Sequence, residues 1–395
     1  MAKPIVNETG WASQWVFGAL SLGILVSALL APMTSRMIAR YGGRRVLASS
    51  GLVIASGLVV MAESSSLAMF LVAWAIIGVG MALGLFDALL ATLAGLYGAR
   101  AGRAITGITL ISGFATTLCW PALALLIEWF GWRNTCLAYA GLLVLTVAPF
   151  YLWALPRGTG QRADGNVSGS SSGTVDNHTY LLLTTIFALG AVLMTAMSVH
   201  LVSLLQGQGS SLAAAVALSA LLGPSQVGSR FLQIFFGNFH PVWITLAYVV
   251  LVATGLLIVT AAPVAAAFGV VIFGTGNGLR AIIRGLLPLA LMSPSQYVLL
   301  TGRMARPSLI GQALTPLLGG YLLQLCGSGS LLLCLCVLAV LNVLLVCLLA
   351  QRVRKMQNHL KWVAPEARAM ELTCKPNAAL RETCSACSGT QEKAL

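Results

Sequence analysis

The chain has 395 residues, 58% of them apolar and only 8% charged, where a soluble domain carries roughly 25% charged residues. So sparse a charged surface cannot keep a core of this size dissolved, which excludes an ordinary globular protein. The net charge of +13 does not point to nucleic acid either: the basic residues sit at the ends of apolar blocks, not in a stripe interleaved with aromatics.

A helix needs about 20 apolar residues to cross the hydrocarbon layer. In chain order the blocks that qualify are 11–32, 46–62, 67–96, 104–127, 133–155, 180–205, 212–236, 241–261, 263–291, 305–326 and 330–350, which predicts eleven spans. The first carries Trp11 and Trp15 and runs on as a full span, unlike a cleavable leader. The eighth and ninth are separated only by Ala261, Ala262 and Pro263, and are read as two because one helix of that length would overrun a bilayer.

Between spans, Arg36, Arg40, Arg44 and Arg45 follow the first, Arg100 and Arg103 the third, and Arg157 and Arg162 the fifth. Arg230, Arg280, Arg284, Arg303, Arg306, Arg352, Arg354 and Lys355 fall at or toward the same side, while the other side receives Lys3 and Arg133 with Glu8, Glu63 and Glu128. Basic residues in short loops stay cytoplasmic. The expected topology is therefore an outside N-terminus and a cytoplasmic C-terminus, in a multi-pass protein of the inner (plasma) membrane of a bacterium.

The Gly- and Ser-rich stretch 156–179 reads as a flexible cytoplasmic linker dividing an N-terminal bundle, 1–155, from a C-terminal bundle, 180–350. A polar tail follows at 351–395. The halves repeat one another. Pro121 to Gly131 precedes an apolar run in the first, and Pro316 to Gly327 precedes one in the second. Gly78, Gly80 and Gly84 of the third span likewise match Gly274, Gly276 and Gly278 of the ninth. Parallel repeats about a central linker are the mark of a two-bundle transporter.

The segment Ser35 to Arg45 resembles the Gly-x-x-x-Asp-Arg-x-Gly-x-Arg loop between the second and third helices of the major facilitator superfamily. Arg40, Gly42 and Arg44 or Arg45 match; Ser35 replaces the glycine and Ala39 the aspartate. Gly131-Trp-Arg133 resembles that family's outer turn between its fifth and sixth helices. The resemblance, over residues 11–350, implies an all-α membrane protein with two bundles of six helices in the family and five plus six here. It assigns a cytoplasmic gating role to Arg36, Arg40, Gly42, Arg44 and Arg45, with the lost aspartate putting that role in question. It also implies that family helix one is missing. A first helix encoded upstream, a shortened gene product, or a span count off by one would each account for that. Gly223-Pro-Ser-Gln226 and His200 to Gln206 are similar to the monocarboxylate-porter-like branch.

Ionisable groups at depth are usually functional or paired. Asp87 can carry a proton or contact substrate, or it can brace the inner gate through an arginine. Arg280 and Arg284, four apart, share a helix face and suit a carboxylate gripped by guanidinium; contact with Asp87 or snorkelling to headgroups are the alternatives. Gln226 can meet substrate or hydrogen-bond between helices, and His200 can shuttle protons or sit at the interface. Cys374, Cys384 and Cys387 are weak candidates for a soft metal, with no fourth ligand well placed. No metalloprotease-like constellation and no phosphate-binding loop occurs. The chain thus reads as a transporter and not an enzyme, with no cofactor. The expected substrate is a small solute, an organic anion first, moved by alternating access with proton coupling. Its surroundings are membrane lipid, and it acts as a monomer. Drug or metalloid efflux and a non-transporting remnant stay open as alternatives.

Overall fold

The computed structural model describes residues 2–156, 177–235 and 240–373, and its regular elements there are helices. They are α1 (Ala2–Thr9), α2 (Ser13–Tyr41), α3 (Gly43–Ala62), α4 (Leu67–Gly84), α5 (Phe86–Tyr97), α6 (Ala101–Ala154), α7 (Asn177–Gly207), α8 (Leu212–Ala220), α9 (Leu222–Phe235), α10 (Pro241–Ala261), α11 (Ala266–Leu291) and α12 (Pro294–Thr373). In lipid a helix is favoured because it satisfies its own peptide groups within the segment. Two compact units result: Met1–Cys347, which holds the bundle, and Leu348–Leu395, helical as far as Thr373. The greater part of the expected linker 156–179, and all of Cys374, Cys384 and Cys387, lie outside the described residues.

Two helices are far too long for a bilayer, and each is broken by a glycine. Gly131 interrupts α6 at φ 75°, ψ 168°, and Gly327 interrupts α12 at φ 78°, ψ 176°. A positive φ is cheap only for glycine, so each chain turns back there without a loop. The two positions are the ones paired by the sequence repeat, and their dihedral angles nearly coincide. With α4 joined to α5 and α8 to α9, the breaks leave eleven membrane-length segments among the described residues, as many as the apolar blocks predict.

One expectation is corrected. The arginines after the first span do not form a loop: α2 continues to Tyr41 and α3 starts at Gly43, so Arg36 and Arg40 are helical and Arg44 and Arg45 lie in the first turn of α3. Only Gly42, at φ 82°, makes the turn. α2 runs on through Pro32 without ending, and Arg40 in its last turn favours the negative end of the helix dipole.

Close glycine contacts hold equivalent helix pairs in both halves. In the first half α3 lies on α4, with Gly80 against the Ile54 backbone and Gly57 against Ala73. In the second half α10 lies on α11, with Gly255 against Gly269 and Phe273, and Gly276 against Tyr248 and Val252. Small residues let backbones approach, the main source of helix adhesion in lipid. A Cβ on Gly255 would stand 2.7 Å from the Gly269 carbonyl oxygen and 2.8 Å from the Phe273 Cα, both backbone atoms that cannot turn aside. Gly255→Ala is therefore expected to cost about 1–3 kcal/mol, measured by unfolding in detergent. Gly141→Ala, where a Cβ meets nothing within 4 Å, should stabilise by up to about 1 kcal/mol.

At the opposite end of the first half from the arginines, α1 docks on the α3 and α6 termini. The Glu8 carboxylate accepts hydrogen bonds from Trp132 Nε1 (2.6 Å) and Arg133 Nε (2.8 Å). Arg133 also donates to the carbonyl oxygens of Ala62 and Ser64 at the end of α3, where helical carbonyls lack partners. Ile5 is buried beside Trp132, and the Trp11 ring meets Phe70 at 5.4 Å. Arg133, and then Trp132, hold the Glu8 carboxyl below the usual carboxylate range despite a partial offset from burial. A depressed folded-state pKa contributes stability that is complete above the unfolded value, about 4.3, and lost as pH falls through the lower folded one. Protection from hydrogen exchange in residues 2–9, relative to the intrinsic rate at each pH, should accordingly fall below pH ~4, and Glu8→Gln should show low protection at every pH.

Candidate functional site

The break between α4 and α5 builds the site. After Gly80 and Gly84, which pack on Ile54 and Ser50 of α3, Leu85 is extended (φ −76°, ψ −176°) and α5 begins anew at Phe86. Asp87 thus lies in the first turn of α5, where free N–H groups and the helix dipole favour a carboxylate. Discontinuous helices placed this way recur at transporter sites.

Arg284 of α11 completes the pair. Its Nη2 donates to Asp87 Oδ2 at 2.8 Å, and both side chains are largely withdrawn from the surface, at 16% and 19% exposure. The ion pair thereby links the first half to the second. Two cavities meet at Asp87. One, of about 20 Å³, is lined by Asp87, Arg284, Phe187, Tyr297, Thr301 and Ser308. The other, also of about 20 Å³, runs along Ser27, Thr34, Ser35, Asp87, Gly302 and Leu309. In the first, the buried Ser308 hydroxyl has no hydrogen-bond partner among the described residues and the Tyr297 hydroxyl lies beside that of Thr301, so it holds polar capacity beside the charges.

On the side of the pair toward Gly42 the halves are packed together. Tyr297 and Val298 of α12 share a buried apolar cluster with Ile38, Leu47, Leu90 and Ile105. Gly285 of α11 faces the side chains of Ile105 and Leu90, and Gly302 of α12 lies directly on the Ala31 backbone of α2. Arg230 of α9 donates to the Thr109 carbonyl of α6 at 3.2 Å.

The remaining sequence candidates fall elsewhere. Arg280 shares the α11 face of Arg284 but does not bond to Asp87: its Nε donates to Asn277 Oδ1 at 3.0 Å and its Nη2 to the Met194 sulfur at 2.8 Å. The contact with Asp87 expected for either arginine belongs to Arg284. Gln226 sits in α9, where its carbonyl lies against Gly278. His200 is buried between α7 and α12, its Nε2 against Gly319 and without a partner. Arg44 donates to the Leu152 carbonyl, and Arg40 lies 5.4 Å from the Tyr41 ring centroid. Sequence reasoning missed Tyr297, Thr301 and Ser308. Their only signal is the helical spacing that puts Tyr297 and Thr301, then Met304 and Ser308, on one stripe.

Removing one partner of a desolvated pair leaves a buried charge, at a cost of about 3–5 kcal/mol. For the partly screened pair here, Arg284→Ala should fall at or below the low end of that range in detergent unfolding. Asp87→Asn combined with Arg284→Gln should recover most of the loss. A loss in the double variant equal to the sum of the losses in Asp87→Asn and Arg284→Gln taken singly would show that the two residues are not energetically coupled.

Comparison with known proteins bears on the whole arrangement. The Major Facilitator Superfamily profile matches residues 4–291. A 141-residue stretch is 30% identical to monocarboxylate transporter 3 of Rattus norvegicus, and covers 35% of this chain but only 27% of that protein's length. Among solved structures, the human organic anion transporter MFSD10 (TETRAN) superposes with a TM-score of 0.67 at 17% identity, over 87% of this chain and 88% of the other. The proton:xylose symporter XylE, bound to 6-bromo-6-deoxy-D-glucose, gives 0.64 at 12% identity, over 87% and 89%. FucP in its outward conformation gives 0.64 at 13%, over 85% and 89%. At these identities the structural likeness concerns the fold.

Proposed function

Because the chain belongs to the Major Facilitator Superfamily, we propose that it is a secondary active transporter that carries a small organic anion across the plasma membrane by alternating access, coupled to protons. The arginine-bearing end faces the cytoplasm, as basic residues in short connections do. In this orientation the packed side is the cytoplasmic one, and the cavities at Asp87 lie above a closed inner gate.

One observation carries the proposal: the Asp87–Arg284 pair joins the two halves beside both cavities. Around it the halves meet through apolar side chains and glycine contacts, which slide or part more readily than a desolvated ion pair. Two events can release the pair. A substrate carboxylate can take the Arg284 guanidinium, whose planar fork matches it, or a proton on Asp87 can remove the negative partner. Either lowers the cost of separating α5 from α11 and lets one half rock against the other. A ligand shifts such an equilibrium only by its difference in affinity for the two states, and exchanging one carboxylate for another at Arg284 supplies that difference. The stretch that is 30% identical to a rat monocarboxylate transporter supports an anion over a sugar.

Proton-driven accumulation of labelled small carboxylates in proteoliposomes tests this. Asp87→Asn should lower accumulation under an inward proton gradient by about tenfold, corresponding to roughly 1.4 kcal/mol. Counterflow exchange of the same solute should persist, because it needs no net proton movement. Accumulation equal to wild type across the pH range would remove Asp87 from coupling.

A further inference from the structure

Arg280 poses a problem that the gate does not solve. It is 7% exposed, near the middle of α11, and its bonded partners are a neutral amide and a thioether. A guanidinium has five N–H donors, and a thioether sulfur is a weak acceptor. Asp87, the carboxylate on Arg284 one turn along the helix, is already committed there. A cation at this depth without a counter-charge costs several kcal/mol.

Its neighbours share a feature. Tyr248 of α10 and Asn342 of α12 are each 1% exposed and lie against one another, and among the described residues neither the Tyr248 hydroxyl nor Asn342 Oδ1 bonds to any further group. The group closes around Gly190 of α7. A methyl group placed there would lie 3.1 Å from Arg280 Cδ, 3.4 Å from the Tyr248 hydroxyl and 3.9 Å from Asn342 Nδ2, with no backbone of another helix within 4 Å. Three donor-bearing side chains from three helices thus converge on the one place where the fourth helix supplies no side chain. Gly190, Tyr248 and Arg280 each lie near the middle of their helices, and Asn342 lies within the apolar run 330–350. That is the depth at which transporters of this architecture hold their solutes.

We propose that Arg280, Tyr248 and Asn342, gathered at Gly190, form a buried site for a single small anion, a carboxylate group or an inorganic anion of similar size. The site has donors and a positive charge but no acid of its own, so it discriminates by charge. It stands apart from the Asp87–Arg284 pair, which is neutral as a unit. The cluster holds the anion while the pair governs the gate. The inference rests on the transport reading for its purpose, but its binding chemistry can be measured without transport.

The test is thermal stabilisation of the purified full-length chain in detergent at neutral pH, with sodium lactate, neutral lactamide and sodium chloride as probes in a low-salt zwitterionic buffer. Wild type should be stabilised in a saturable way by lactate, chloride or both, and not by lactamide. Lactate alone identifies a carboxylate site; chloride, alone or with lactate, identifies one open to inorganic anions. Gly190→Ala, whose methyl group crowds the Arg280 stem and the Tyr248 hydroxyl, and Tyr248→Phe, which removes one hydroxyl and keeps the volume, should each weaken anion binding at least about fivefold, roughly 1 kcal/mol, while remaining folded and monodisperse. The proposal is overturned if neither anion stabilises wild type, if lactamide does so equally, or if either variant keeps wild-type affinity. Binding that follows these expectations without any uptake in proteoliposomes would leave the site standing and sink only the transport reading.

Discussion

Hydrocarbon offers no water to a peptide group or to a charged side chain, and the rest of this structure follows from how each of those debts is met. The backbone meets it with helices that turn back at glycines instead of through loops. Gly131 and Gly327 do this at equivalent points of the two halves with nearly the same dihedral angles. The charged groups meet it by pairing. Among the described residues the ion pair inside the spans, Asp87–Arg284, ties α5 to α11, and the Arg230–Thr109 hydrogen bond adds a second polar tie between the two bundles. The side chains packed beside the pair are mostly apolar, and such contact in lipid has little preference for being closed.

That asymmetry makes the pair suited to switching. Dispersion contacts between smooth helix faces change gradually as the faces part, whereas a desolvated salt bridge is either made or broken. A carboxylate can be neutralised by one proton, and a guanidinium can exchange one carboxylate for another, so both partners answer to solutes that a transporter meets. The break at Leu85 adds to this. Starting a new helix at Phe86 places the carboxylate in a first turn, at the positive end of the helix dipole, which favours its charged form.

The span count, the repeat and the side on which arginines gather were legible in the sequence, because each depends on composition over tens of residues. The pairing of Gly131 with Gly327 was legible too, since a glycine after a long apolar run has few other uses. The interruption at Leu85 was not, because leucine is a good helix former and only the tight packing of Gly80 and Gly84 on α3 forces the chain out of helix there. Nor could spacing decide between Arg280 and Arg284. Residues four apart share a face, but which one reaches Asp87 depends on the height of α11 against α5. The hydroxyls of Tyr297 and Ser308 escaped notice for a plainer reason: in an apolar helix such residues usually bond back to their own backbone, as Thr301 and Thr315 do here. The arginines near Gly42 were read as a loop because charge suggests the end of a span; helices α2 and α3 extend past the hydrocarbon instead.

The interior charge balance gives a last step. Arg280 and Arg284 stand one turn apart on α11, Arg230 reaches across to α6, and Asp87 opposes them alone. Taken together the polar interior of the bundle is positive, and this does not depend on which arginine is nearest to which partner. A cation entering from either side would meet net repulsion at close range and low dielectric, where screening by salt is weak; an anion would meet attraction. A neutral solute would gain nothing from the arginines and would still have to displace the groups they hold. On the anion reading proposed above, selection by sign would precede contact with the hydroxyls that line the cavity, which would then distinguish one anion from another by shape and hydrogen bonding. Such a division requires that the positive excess not be cancelled within the protein, and among the described residues of the interior one aspartate faces these three arginines.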